Sequence, residues 1–361
     1  SASTSAPAVS PTAVTSAPAG SSPSARAVKD SPARSVGPRI NLAETGAAEV
    51  VDLHVDTPWK VHFKGRDKKL EKGHATPKRV AQGHVAALVY PIYIPDYIHD
   101  SHPTIADATA IFDTIDTIVE THPAFHFAMR AGEAQVVPAD DVAIFVSIEG
   151  AGAFAADIEA IDRFIARGVR LVGPVHARDS PLATSATGKG DGGLTELGKR
   201  FCERVYRAGA LVDVSHMSDE SFADLVPIAA KFAAPIVATH SNARKLRNHP
   251  RNLTDEQLRT IAKTGGVAGL NLYRNFIRKS KPRLKHVVAM VKHMVDVAGI
   301  EHIAIGSDFD GGTPVYALRN ASKFPTLARA LRKEGFEEED VRKIFGKNAR
   351  RILYWGVGEQ R

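Results

Sequence analysis

Val51-Asp52-Leu53-His54-Val55-Asp56 is an apolar run that closes on two side chains able to hold a metal ion, and the same device recurs along the chain. His54, Asp56, Glu149, His176, His216, His240 and Asp308 all stand at the ends of short apolar runs, each followed by a helical pattern. A parallel β/α barrel gathers the C-terminal ends of its strands on one face, so polar groups at successive strand ends read as a single site. Side chains two apart in a strand share a face, so His54 and Asp56 can reach one ion. Taken alone, the pair would equally suit a surface histidine beside a helix-capping aspartate. Together with the other imidazoles and isolated carboxylates it forms a donor set suited to zinc, in which Glu149 can bridge two ions.

Eight such runs are expected as strands, over 49–56, 84–93, 141–149, 169–176, 210–216, 235–240, 267–273 and 302–308. Their unbroken Val, Ile, Leu and Ala content indicates burial on both faces, which is the mark of a parallel sheet. Helices are expected over 104–120, 157–166, 195–208, 219–232, 254–263 and 284–297. Several open on Thr, Asp or Ser caps, and Gly168, Gly209, Gly265 and Gly299 fall just past helix ends, where a left-handed residue is needed. This alternation predicts an α/β fold, a (β/α)8 TIM-type barrel over 40–361 with a binuclear metal site at the C-terminal face of its strands.

Composition narrows the class. The 361 residues are 43% hydrophobic and 24% charged, as in a globular protein, and no run approaches the roughly 18 apolar residues of a membrane span. The net charge of +7 is concentrated in stretches such as 244–251 and 274–285. Without an aromatic-interleaved RNA motif or zinc-finger spacing these read as solvated loops, and no nucleic-acid partner is expected. Cys202 is the only cysteine, which excludes an intrachain disulfide and a thiolate metal cluster. Its helical surroundings suggest a buried, inert thiol. Residues 1–39 contain no aromatic residue, Leu or Ile, and are expected to be a disordered Ser/Ala/Pro-rich linker. Such a tether suits an exported bacterial protein, periplasmic, secreted or lipid-anchored, whose membrane attachment would lie in a removed N-terminal segment.

The individual strand ends carry distinct chemistry. Glu149 closes a buried strand, where an unpaired carboxylate costs several kcal/mol and calls for a cation, a salt bridge or a proton. His216 and His240, at matching depth on neighbouring strands, can converge on one zinc. His176 is placed to hydrogen-bond a substrate oxygen. Asp308 lies in Ile305-Gly306-Ser307-Asp308-Phe309-Asp310-Gly311-Gly312, where the glycines permit close ligand approach and the carboxylate can shuttle a proton; a glycine-rich turn with a capping Asp is the plainer alternative. The other histidines fall in loops, helices or strand starts and need no role.

These residues, in this order, resemble the membrane (renal) dipeptidase family of zinc peptidases over nearly all of 48–355. The resemblance is carried by Asp52-Leu53-His54-Val55-Asp56-Thr57-Pro58-Trp59, Ile148-Glu149-Gly150, Gly168-Val169-Arg170 leading to His176, and Gly193-Leu194-Thr195 with Gly198. It continues through Asp213-Val214-Ser215-His216, His240-Ser241-Asn242-Ala243-Arg244 with Pro250-Arg251-Asn252, and Gly306-Ser307-Asp308-Phe309-Asp310-Gly311.

The resemblance implies two Zn2+ ions per chain, with His54 and Asp56 on one, His216 and His240 on the other, and Glu149 bridging. It implies hydrolysis of dipeptides, including those with a C-terminal D-residue, by a hydroxide that the metals generate. It places His176 on the substrate carbonyl or its oxyanion, Arg251 on the substrate carboxylate and Asp308 as proton shuttle, and it implies a homodimer. Tyr273, at the end of the seventh strand, is expected either to line the pocket or to serve packing. Ala151 and Asp179 depart from the Gly and Asn common in the family, and the cysteines and C-terminal anchor signal of animal members are missing, so a bacterial relative is expected. Two rival functions stay open: another binuclear-metal amidohydrolase acting on a lactone, amide or phosphoester, or a catalytically silent exported binding protein.

Overall fold

A computed structural model describes residues 49–357. The expected linker over 1–39 and its junction with the barrel at residue 40 lie outside the described residues. The eight barrel strands are β1 (Val50–Asp52), β2 (Val85–Tyr93), β3 (Val142–Glu149), β4 (Val169–Gly173), β5 (Leu211–Val212), β6 (Val237–Ala238), β7 (Val267–Leu270) and β8 (Ile303–Ile305). They pair in parallel and in chain order, from β1 to β5 on one side and from β1 through β8 and β7 to β6 on the other. The ring closes between β5 and β6 through one bridge, Asp213 to Val237, supported by a Val214 N–H donating to Val237 O at 2.8 Å. The (β/α)8 barrel read from the sequence is therefore the observed architecture, with every residue of β3 buried.

The strands are shorter than their apolar runs suggested, and the difference decides where the site sits. Past β5 the Asp213 carboxylate accepts the amides of Ser215 (2.9 Å) and Thr239 (3.0 Å), which turns the chain, and His216 takes a left-handed φ of 76°. Past β8 the Ser307 amide bonds Asp52 Oδ1 at 2.8 Å, and Asp308 has φ 61°. His54, Asp56, His176, His216, His240 and Asp308, expected inside strands, stand in the first residues beyond them; only Glu149 lies within its strand. Val55 still bridges Phe309, so His54 and Asp56 keep the alternation of a strand across the break.

The expected helices appear within a residue or two of their predicted bounds, at Ile105–Thr121, Glu196–Arg207, Asp219–Lys231, Asp255–Lys263 and Leu284–Ala298; the segment over 157–166 splits into a 3-10 turn, Ile158–Ala160, and a helix, Ile161–Arg167. Thr104 and Thr254 cap their helices with reciprocal bonds to Asp107 and Gln257. The sequence reading did not specify Thr57–Lys64 or the C-terminal helices Phe324–Lys333 and Asn348–Leu353. That C-terminal segment is pinned by Arg170, a buried guanidinium on β4 that donates to the carbonyls of Leu353 and Trp355 and, at 2.7 Å, of Gly209. Cys202 is buried, and burial pushes its thiol well above the usual range, as expected of an inert sulfur. Among the described residues no helix is long and apolar enough to cross a membrane.

Close approach of β6 and β7 is a backbone requirement. A Cβ on Gly269 would stand 1.9 Å from the carbonyl oxygen of Thr239. Gly269→Ala should therefore destabilise the barrel by about 3 kcal/mol, as overpacking of a closed core does, read as a lowered urea midpoint with an unchanged slope.

Candidate metal centre

Glu149 ends β3 in the middle of the barrel mouth, 7% exposed. Its two oxygens face different imidazoles. Oε1 lies 2.9 Å from His216 Nε2 and 3.4 Å from His240 Nε2, while Oε2 lies 3.5 Å from His54 Nε2. His54 Nε2 is also 3.3 Å from Asp56 Oδ2. Three overlapping groups of side chains are spaced to hold a metal ion: His54, Glu149 and His240; Glu149, His176 and His216; and His54, Asp56 and Asp308. All seven strand-end residues selected from the sequence are thus brought to one place.

The donor set fits a cation on grounds of its own hydrogen bonding. Thr239 Oγ1 donates to Asp213 Oδ2 at 2.5 Å, so it accepts from His240 Nδ1–H at 2.7 Å, and His240 Nε2 is left with its lone pair directed at Glu149. His216 Nε2 is 3.0 Å from that same nitrogen. Two imidazole nitrogens and a carboxylate oxygen crowd one point, which a cation satisfies and a neutral pocket does not. Gly311 leaves room beside the third group: a Cβ there would come within 2.2 Å of Asp56 Oδ2 and 2.3 Å of Asp308 Oδ1.

The electrostatics are those of a site that holds positive charge. Burial opposes charging His54, yet the Glu149 and Asp56 carboxylates outweigh it and hold the imidazole well above its usual range. Burial would raise Glu149, but chiefly the His54 and His176 charges, with the His216 ring beside it, hold it well below. His216 and His240 are pushed down, first by burial and then by Arg251 and His54 respectively, so they present neutral rings. Burial, reinforced by the Asp56 charge, pushes Asp308 up to about 7.

Around this centre lie residues the sequence reading did not single out. Asp96, in the loop after β2, is 2.8 Å from His176 Nδ1 and fixes that ring, which also packs against Tyr93 with centroids 4.5 Å apart. Asn271 Nδ2 donates to Asp308 Oδ2 at 3.1 Å. Asp213 and Thr239 orient His240, as described. Asp213 stood in a quoted motif without a role; Asp96 and Asn271 carried no local signal, because their partners are 80 and 37 residues away.

Arg251 is 5% exposed and touches the centre through Ser241 Oγ at 3.3 Å and the His240 carbonyl at 3.4 Å. Its Nε has no partner, and among the described residues no carboxylate lies within ion-pair distance. Tyr273 follows β7 and packs edge-on against Phe276, with its hydroxyl accepting from Asn275; the structure gives it a packing role beside Gly312. Asp179 is turned away to its own loop, accepting the amides of Ser185, Lys189 and Gly190 at 2.8–2.9 Å.

A parallel barrel that gathers imidazoles and carboxylates around one buried point at its C-terminal mouth is the framework of a metallohydrolase. Residues 45–355 match the family described as membrane dipeptidase (peptidase family M19), and the chain belongs to that family of metallo-dipeptidases. It is 28% identical to an uncharacterized dipeptidase of Schizosaccharomyces pombe over 336 residues, 84% of this chain and 80% of that protein. It is also 28% identical to the dipeptidase tcpJ of Claviceps purpurea over 297 residues, covering 78% and 69%. Among solved structures it is similar to a metallo peptidase from Rhodobacter sphaeroides liganded with a phosphinate mimic of the dipeptide L-Ala-D-Ala, with 27% identity, a TM-score of 0.77 and coverage of 85% of this chain and 99% of that one.

Asp310, in the same motif as Asp308, serves the frame. Its buried carboxylate takes Arg66 Nη1 at 2.6 Å, Thr57 Oγ1 at 2.8 Å and the His74 amide at 2.9 Å. Burial would raise it, but Arg66 and these bonds hold it below its ordinary value of 3.8. A depressed carboxylate stabilises fully above the unfolded value and loses that contribution as pH falls through the folded one. Asp310→Asn should therefore cost stability at pH 7 and flatten the loss below about pH 4, as checked by urea unfolding across that range.

Proposed function

We propose that the chain is a zinc-dependent dipeptidase that holds two zinc ions and accepts dipeptides with a D-residue at the C-terminal position. His54 and Asp56 would hold one ion, His216 and His240 the other, and Glu149 both. Borderline imidazoles and hard carboxylates without thiolates favour zinc. The D-residue is supported by the L-Ala-D-Ala mimic in the Rhodobacter sphaeroides relative.

The observation that carries the reading is the buried, unpaired guanidinium of Arg251 beside the metal-competent cluster. A buried cation with only two long hydrogen bonds asks for an anion, and its planar fork suits a free α-carboxylate. Binding the carboxylate there anchors the C-terminal residue and sets the scissile bond over Glu149. When bound, zinc supplies the Lewis acidity that polarises the carbonyl and makes a water nucleophilic near neutral pH.

The chain's own groups do the rest. His176, its Nδ1–H donated to Asp96, directs Nε2–H at the carbonyl oxygen and at the negative charge that grows there. As water adds to the carbonyl carbon, Asp308 takes its proton on the carboxylate. It then returns that proton to the amine nitrogen as the C–N bond breaks. Asn271 Nδ2, donating to Asp308 Oδ2, keeps that carboxylate aimed for both transfers.

Hydrolysis of L,L and L,D dipeptides by zinc-loaded protein should be abolished by a chelator and restored by zinc; chelator-resistant cleavage would contradict the reading. Arg251→Ala should lower kcat/KM for dipeptides by about 10- to 100-fold, the range of a charge-assisted bond to a charged group, mainly through KM. Unaltered kinetics would remove Arg251 from the substrate carboxylate.

A further inference from the structure

The rim of the mouth is electrically lopsided. The loops after β6 and β7, residues 241–254 and 271–283, carry nine Lys and Arg and no Asp or Glu. In a ring of eight strands paired in chain order, β2 and β3 stand opposite β6 and β7. The loops after β2 and β3, residues 94–104 and 150–160, carry four acidic residues and no Lys or Arg, although Lys64 reaches Tyr97 from the β1 side at 3.5 Å.

The basic half is one packed unit joined to the site. Phe276 is its hub, with the Arg251 guanidinium 5.5 Å from its ring centroid, His249 at 4.7 Å and Tyr273 at 4.8 Å. Arg247 Nε donates to the Asn275 carbonyl at 2.9 Å, and Asn252 Nδ2 to that of Phe276 at 3.0 Å, which ties the two loops together. Arg244 is neutralised by Asp219. Among the described residues Arg247, Lys279 and Lys281 have no ion-pair partner, and the two lysines are exposed.

We propose that this basic lobe selects dipeptides whose C-terminal residue carries a second carboxylate, Asp or Glu. The inference rests on the placement of Arg251 on the α-carboxylate. With that group seated, the side chain of the same residue lies on the basic side of the mouth, where a negative charge is attracted and a positive one repelled. Arg251 alone, its charge matched by the α-carboxylate, would not discriminate Glu from Gln.

The test is kcat/KM of the zinc-loaded enzyme for Ala-Glu, Ala-Gln and Ala-Lys, in L,L and L,D forms, at low and at physiological ionic strength. Ala-Glu is expected to exceed its isostere Ala-Gln by about tenfold at low salt, with Ala-Lys below both, and the gap should narrow as salt screens the exposed charges. It should lie in KM, and the Ala-Glu to Ala-Gln ratio should fall towards one in a Lys279→Gln/Lys281→Gln double variant and in Arg247→Gln. A ratio near one in the parent enzyme, with Ala-Gln well hydrolysed, overturns this inference and leaves the dipeptidase reading intact. A high ratio unchanged by all the substitutions overturns it too, because the preference would then come from elsewhere. Hydrolysis of none of the three overturns the proposed function and this inference together.

Discussion

An ionised carboxylate buried in the throat of a closed barrel is the constraint around which the rest is arranged. Glu149 cannot stay charged there without compensation, since desolvation alone costs several kcal/mol. Imidazoles reach it from beyond β1, β5 and β6, on strands scattered through the chain. They meet only if the ring of strands is complete. The metal-competent cluster and the barrel are in this sense one structure.

Asp213 shows how closely the two are joined. Its backbone makes the bridge that closes the ring between β5 and β6, and one of its oxygens turns the chain towards His216. The other oxygen fixes Thr239, and through it the tautomer of His240. A carboxylate behind a ligating histidine orients the ring and raises its basicity. Asp52 and Asp310 do comparable work at β1 and β8, holding the segments that present His54 and Asp308. Acidic residues within one motif thus stand apart: Asp310 is tied to Arg66, Thr57 and the His74 amide, and Asp308 lies in the metal-competent cluster.

The opposed charge of the rim loops adds a second level of order above the ion cluster. The inner site holds Arg251, a desolvated guanidinium with two long hydrogen bonds and an unpartnered Nε. The rim provides a weaker, longer-ranged field that varies with salt.

Much of this was legible before any fold was known. His54, Asp56, Glu149, His176, His216, His240 and Asp308 could be picked out because each follows a run of residues that a parallel sheet buries, and strand ends share a face. The run lengths misled only about where pairing stops: Asp213 and Ser307 end their strands through bonds to residues distant in sequence, which no local pattern reports. Asp96 and Asn271 were missed for the same reason, and Tyr273, which its position left between pocket lining and packing, packs edge-on against Phe276. Apolar periodicity and chemically distinctive side chains are local properties, so the chain alone determined the barrel and the membership of its centre. Which nitrogen is free, which carboxylate is structural and which cation is left unpaired depend on contacts across the ring, and only the tertiary structure decided them.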